Sequence, residues 1–334
     1  MQATFTHREN AFTLLRWVLA LSLVVWHFCV LTGKDYSWLL TAEACVQGFF
    51  ILSGFLTAVS FERPFTLSVY ARKRFLRTYV PYTIPVLLCF LAGAAITTLS
   101  ATDYFLHPDT WRYLSCNLAF LNFLQPDLPG VFTHNPLTAV NGALWSMKVE
   151  VLFYCTVPLL YKAFQRRRPL PILLTLFLLS ALYNEAFLHL FETTKEPFYA
   201  FLKRQIPGQY LYFCAGMIVY YAYNRLHKHM CLTLCVAAII GVASLYFHPL
   251  TYINIINCSF LLVWVAYKLP QYVSTRKLPN LTYGIYLYHF PVIQLLISMN
   301  IHSFAVAMAT TLMLSWIAYR KIERPLMSKQ TKSR

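Results

Sequence analysis

Charged side chains are scarce in this chain. Asp, Glu, Lys and Arg together make up 12% of its 334 residues, and only 12 residues are acidic. A soluble domain carries about twice that charged share. With 58% hydrophobic and 17% aromatic residues, a water-facing globule is excluded and a polytopic membrane protein is implied. Other familiar features are missing as well. No glycine-rich phosphate loop and no serine nucleophile elbow are present, and no internal repeat is evident. The nine cysteines are odd in number and lie mostly in apolar stretches, as at Cys29, Cys89, Cys155, Cys214 and Cys258. They read as reduced core residues, not as a disulfide framework. Cys231 and Cys235 are one helical turn apart near His227 and His229, but at a helix end in a basic loop, and no metal is expected.

What is there is a series of apolar stretches about 20 residues long, the length that crosses a bilayer. Ten can be drawn, over 12–32, 42–61, 79–99, 142–161, 170–190, 207–223, 231–248, 252–268, 281–299 and 302–319. The first is too long, and lacks the small-residue cleavage site, for a signal peptide. The net charge of +16 follows an alternation between the connecting segments. One set holds 21 of the 28 Lys and Arg, among them Arg8, Arg63, Arg72 to Arg77, Arg166 to Arg168, Arg276, Lys277 and six from Arg320 onward. The other set holds five. The positive-inside rule then places both termini in the cytoplasm. The expected architecture is an all-α integral membrane bundle of about ten transmembrane helices, forming one domain over 1–334 with no appended soluble domain. The charge is spent on orientation, and no nucleic-acid partner is implied.

Two ionisable residues interrupt the first stretch, Arg16 and His27. Such a residue costs about 2.5–3.5 kcal/mol in a spanning helix, so it normally marks a site. They are about 16 Å apart along a helix, on similar faces. Glu150 lies about 12 Å from the outer end of the fourth stretch and His27 about 8 Å from the outer end of the first. At matched depth, a carboxylate can orient an imidazole that takes a proton from a hydroxyl. On the cytoplasmic side, Arg16 and the segment Tyr70-Ala71-Arg72-Lys73-Arg74-Phe75-Leu76-Arg77 supply guanidinium groups suited to phosphates. A lipid-facing basic patch is the alternative there. Gly48, Ser53 and Gly54 allow close approach of a helix or a ligand. His289 falls in a tyrosine-rich stretch near mid-membrane.

In this order, these stretches resemble the membrane-bound acyltransferase family 3, integral-membrane O-acyltransferases that modify sugars of the bacterial envelope. Arg16 and His27 match its arginine-histidine motif, and Cys45 to Phe55 its Phe-Phe-x-x-Ser-Gly-Phe segment. Tyr70 to Tyr82 follows its basic segment, Asn141 to Tyr154 its Leu-Trp-Ser-x-x-x-Glu block and Tyr283 to Pro291 its Tyr-x-x-Tyr-Leu-x-His block. The resemblance implies acyl transfer, most often of acetyl, from cytoplasmic acetyl-CoA to a carbohydrate hydroxyl. The acceptor would be lipid-linked or part of an envelope polysaccharide: O-antigen lipopolysaccharide, capsule or exopolysaccharide. The enzyme would sit in the bacterial inner membrane. His27 and Glu150 are then the expected catalytic pair. Arg16, Arg72, Arg74, Arg77 and Ser53 are expected at the donor, and Asn141, Trp145 and His289 at the acceptor. The competing class is a transporter or flippase of a glycan precursor, which also uses buried Arg, His and Glu.

Overall fold

The computed structural model describes residues 10–35, 40–272 and 278–326. Arg8, Arg276, Lys277, Lys329, Lys332 and Arg334, and with them both termini, lie outside the described residues. Among those described there is helix and no strand. The order is α1 (Phe12–Leu31), α2 (Ala42–Ser60), α3 (Leu67–Arg74), α4 (Val80–Ile96), α5 (Ala101–Leu106), α6 (Pro108–Leu118) and α7 (Trp145–Arg166). Then come α8 (Pro169–Thr194), α9 (Pro197–Lys203), α10 (Ile206–Lys228), α11 (Met230–Ala243), α12 (Leu250–Lys268), α13 (Thr282–Ser298) and α14 (Phe304–Ala318). A π-helical turn, Phe75–Tyr79, joins α3 to α4, and another, Tyr319–Glu323, follows α14.

Each of the ten apolar stretches is helical, but six helices are long and apolar enough to cross a membrane: α1, α2, Leu67–Ile96, Gly142–Arg166, α8 and Leu250–Gln271. Pro197–Lys228 and Met230–Ala243 make a seventh if their 119° bend is a broken span. The last two helices, α13 and α14, have 17 and 15 residues. Large apolar side chains such as Leu178, Leu179, Leu182 and Ile239 are exposed, as a lipid-facing surface requires. The chain is a multi-pass helical membrane protein.

The helix boundaries follow local chemistry. Ser100 caps α5, its Oγ accepting from the Asp103 amide at 3.1 Å and donating to Asp103 Oδ2 at 2.7 Å. Proline opens α6, α8 and α9, where a missing N–H costs nothing. Lys195, left-handed at φ 59°, closes α8. Lys148, inside a span, sets its Nζ 4.1 Å from the centre of the Phe123 ring, a cation–π contact.

The described residues pack as two compact units. The first comprises 1–15, 46–65 and 149–278. Within it α2 and α10 meet at reciprocal glycines: a Cβ on Gly54 would lie 2.0 Å from the Phe213 carbonyl oxygen, and one on Gly216 2.0 Å from the Ile51 carbonyl oxygen. Close approach at Gly54 therefore serves helix packing. Ser180 ties α8 to α10, accepting from the Leu211 amide at 2.8 Å and donating to the Pro207 carbonyl. The second unit comprises 16–45, 66–148 and 279–334. Its segment 100–141 holds, among the described residues, no helix long enough to cross a membrane; α5 and α6 pack on α4, where Tyr82 donates to the Asn117 carbonyl at 2.8 Å.

Candidate active site

The second unit holds His27 near the end of α1 and His289 in the middle of α13. His289 Nε2 is 3.0 Å from His27 Nδ1. On its other side, His289 Nδ1 faces two backbone carbonyls, Ile285 at 3.0 Å and Tyr286 at 2.9 Å. Carbonyl oxygens only accept, so Nδ1 of His289 carries the hydrogen. His289 is fully buried, whereas His27 keeps part of its surface open. Trp26 and Phe290 set their rings edge-on to the His27 ring, centroids 5.1 and 5.2 Å away.

His289 is held by a junction whose origin is Pro291. Proline has no N–H, so the carbonyl four residues earlier, that of Leu287, loses its intrahelical donor. In an apolar bundle another donor must replace it. Asn141 does so, its Nδ2 donating to the Leu287 carbonyl at 2.9 Å while its Oδ1 accepts from the Ala143 amide at 3.3 Å. One turn away, Tyr286 donates to the Ala143 carbonyl. Its phenol has one hydrogen, so the 2.6 Å contact with Ser146 has Ser146 as donor. Phe290 packs onto Gly142, where a Cβ would come within 2.8 Å of the ring Cζ. Asn141 and His289 thus bond within the protein, and Trp145, part-exposed, begins α7 beside them in sequence. Asn141→Ala is expected to lower stability by about 1–3 kcal/mol, the cost of stranding a buried carbonyl. The readout is the midpoint of thermal unfolding in detergent.

The basic segment belongs to the same unit. Arg72 and Arg77 are exposed and Arg74 is half-buried, its guanidinium 5.3 Å from the Tyr70 ring centre. Arg77 lies in the first π-helical turn and Glu323 closes the second. Burial pushes the Glu323 carboxyl up to about 7, against the opposing pull of Arg77. Sequence reading missed Glu323, although an acid among the basic residues that follow the last span was a visible signal. Arg16 stands 11 positions before His27 on the same unbroken helix.

Glu150 and Ser53 belong to the first unit. Tyr154 donates to Glu150 Oε1, and its oxygen is 3.3 Å from Ser53 Oγ. Sequence reading missed Tyr154 too, yet residues four apart share a helix face. Its hydroxyl fixes the direction of the carboxylate. Tyr154→Phe is expected to cut turnover about tenfold with folding intact, less than the roughly 10²–10⁴-fold contribution of a general acid or base, because the carboxylate itself remains. Ser53→Ala should cost less, because its contact is the longer one.

A family model described as an acyltransferase domain matches residues 9–320. The chain belongs to the acyltransferase 3 family. The match takes in both units, the arginine and histidine of α1, the basic segment and His289. Among curated proteins, this acyltransferase is 25% identical to "Nodulation protein 10" of Rhizobium leguminosarum bv. viciae, over 97% of this chain and 95% of that protein. It is 23% identical to "O-acetyl transferase" of Shigella phage Sf6, over 97% and 98% of the two chains. No solved structure matches.

Proposed function

We propose that this acyltransferase moves an acetyl group from cytoplasmic acetyl-CoA to a hydroxyl of a cell-envelope carbohydrate, as a single functional domain of about ten membrane crossings in a bacterial inner membrane. The observation that carries the reading is the family match over 9–320. A relative named as an O-acetyl transferase, alignable over 97% of the chain, supports the O-linked acetyl product. Arg16, Arg72, Arg74 and Arg77 hold the phosphates of the donor, since guanidinium forks match phosphate oxygens. His27 is the base that takes the acceptor hydroxyl's proton, with Glu150 as the second acid-base group. Ser53 acts through Tyr154 on Glu150. Trp145 offers an aromatic face to the sugar, while Asn141 and His289 position the groups around them. O-antigen lipopolysaccharide, capsule and exopolysaccharide are the acceptor classes.

The test is transfer of label from radiolabelled acetyl-CoA to the glycan fraction of membranes that contain the enzyme. Label above that of membranes lacking it, reduced by Arg72→Ala with Arg77→Ala through a higher KM for the donor, is the expected result. Label that stays in acetyl-CoA while an envelope glycan precursor crosses the membrane unchanged would replace this reading with a transporter.

A further inference from the structure

The hydrogen-bond chain through His289 decides which nitrogen of His27 can react. We infer that His289 locks His27 in its Nδ1–H form, leaving Nε2 as the nitrogen that performs the proton transfer. The inference rests on the reading of His27 as the base. His289 Nδ1 faces two acceptors, at 3.0 and 2.9 Å, and must donate. A ring with no exposed surface and, among the described residues, no carboxylate bonded to it holds a second proton only at high cost. Its Nε2 therefore has a free lone pair, and the only hydrogen that can fill the 3.0 Å contact is one on His27 Nδ1. Free histidine in water prefers the opposite tautomer, so the protein is selecting the minor form.

Two consequences follow. The chain of bonds ends on the Ile285 and Tyr286 carbonyls, which cannot take a proton away. A proton collected by His27 therefore leaves through the nitrogen that received it. In the transfer, the acceptor O–H proton moves to His27 Nε2 as its oxygen bonds to the thioester carbonyl carbon. The C–S bond then breaks, the proton passes from Nε2 to the thiolate sulfur, and ester and thiol are the products. His289 touches neither reactant and is a positioning residue: it holds the ring's direction and donates its lone pair to the Nδ1–H throughout.

The test is nitrogen-15 NMR of the full chain, labelled at histidine, in detergent micelles, with the His27 signals identified by their loss in His27→Gln. Expected are a protonated Nδ1 and a bare Nε2 for His27 in the wild type. The pattern should persist in His289→Gln, whose amide oxygen still accepts, and move toward Nε2–H in His289→Leu. Acyl transfer should follow: His289→Leu lowers kcat by about 10²-fold or more, as expected for a base in the wrong tautomer, with donor KM unchanged. His289→Gln should recover most of the rate. A wild type with Nε2 protonated, or an unchanged His27 pattern in His289→Leu, overturns the inference. If His289→Leu fails to fold, the wild-type spectrum still decides. If the wild type transfers no acyl group, the functional reading fails while the tautomer remains measurable.

Discussion

Replacing His27 with alanine is expected to lower acyl transfer by about 10³-fold, within the span usual for a general base. A sugar hydroxyl is a poor nucleophile until its proton is taken, and His27 is the part-exposed member of the imidazole pair. Alanine also removes the partner of His289 Nε2, so part of any loss in that variant reflects a buried acceptor left unpaired. His27→Gln separates the two effects. Its amide N–H can still donate to His289, yet an amide does not act as a base. The expected result is a glutamine variant that melts close to wild type and is as inactive as alanine, measured as acetyl label entering glycan at equal protein level. A glutamine variant with wild-type turnover would remove His27 from the chemistry. Double substitution with Glu150→Gln adds a further measurement. Effects that fail to multiply would mean that the two groups serve one step.

The second large effect is structural. Gly216→Ala is expected to destabilise the protein by about 1–3 kcal/mol or more, the usual cost of overpacking, and to lower the yield of folded protein. The added Cβ would lie 2.0 Å from the Ile51 carbonyl oxygen and 2.8 Å from the Phe55 amide nitrogen. Both are helix backbone atoms, which cannot rotate aside, so α2 and α10 would have to separate along the contact. The reciprocal Gly54→Ala meets the Phe213 carbonyl in the same way and should match it. Gly241 on α11 is the control. A Cβ there has its nearest neighbour at 3.8 Å, the Asn254 side-chain oxygen. Gly241→Ala should be neutral or stabilising by up to about 1 kcal/mol through helix propensity. Thermal unfolding in one detergent orders the three variants, and equal loss in all of them would refute the packing argument.

Part of the candidate residue set is legible in the sequence. Arg16 and His27 stand out because ionisable groups are costly in a span, and α1 does run from Phe12 to Leu31 with both inside it. Glu150 is equally conspicuous. Its partner Tyr154 is readable from the four-residue spacing but carries no charge to draw attention. The imidazole pair is not legible. His27 and His289 are 262 positions apart, and neither sequence neighbourhood names the other. Asn141 presents the same case. The family resemblance implies a place at the acceptor for it, while the structure gives its amide to the Leu287 carbonyl that Pro291 leaves without a donor, 146 positions away.

By itself, the sequence determined that the chain enters a membrane as a series of helices, where most of them begin and end, and which few polar residues each carries inward. These follow from hydropathy, proline and capping residues, which act within a few turns of chain. The tertiary structure alone decided which of those residues meet. It paired the two histidines, gave Asn141 to α13, set Gly54 and Gly216 into each other's helix and put Glu323 within the field of Arg77. The physical reason is that an apolar surround obliges every polar group to find a partner inside the protein. That requirement acts across the whole bundle, so only the packed helices specify which partner is chosen.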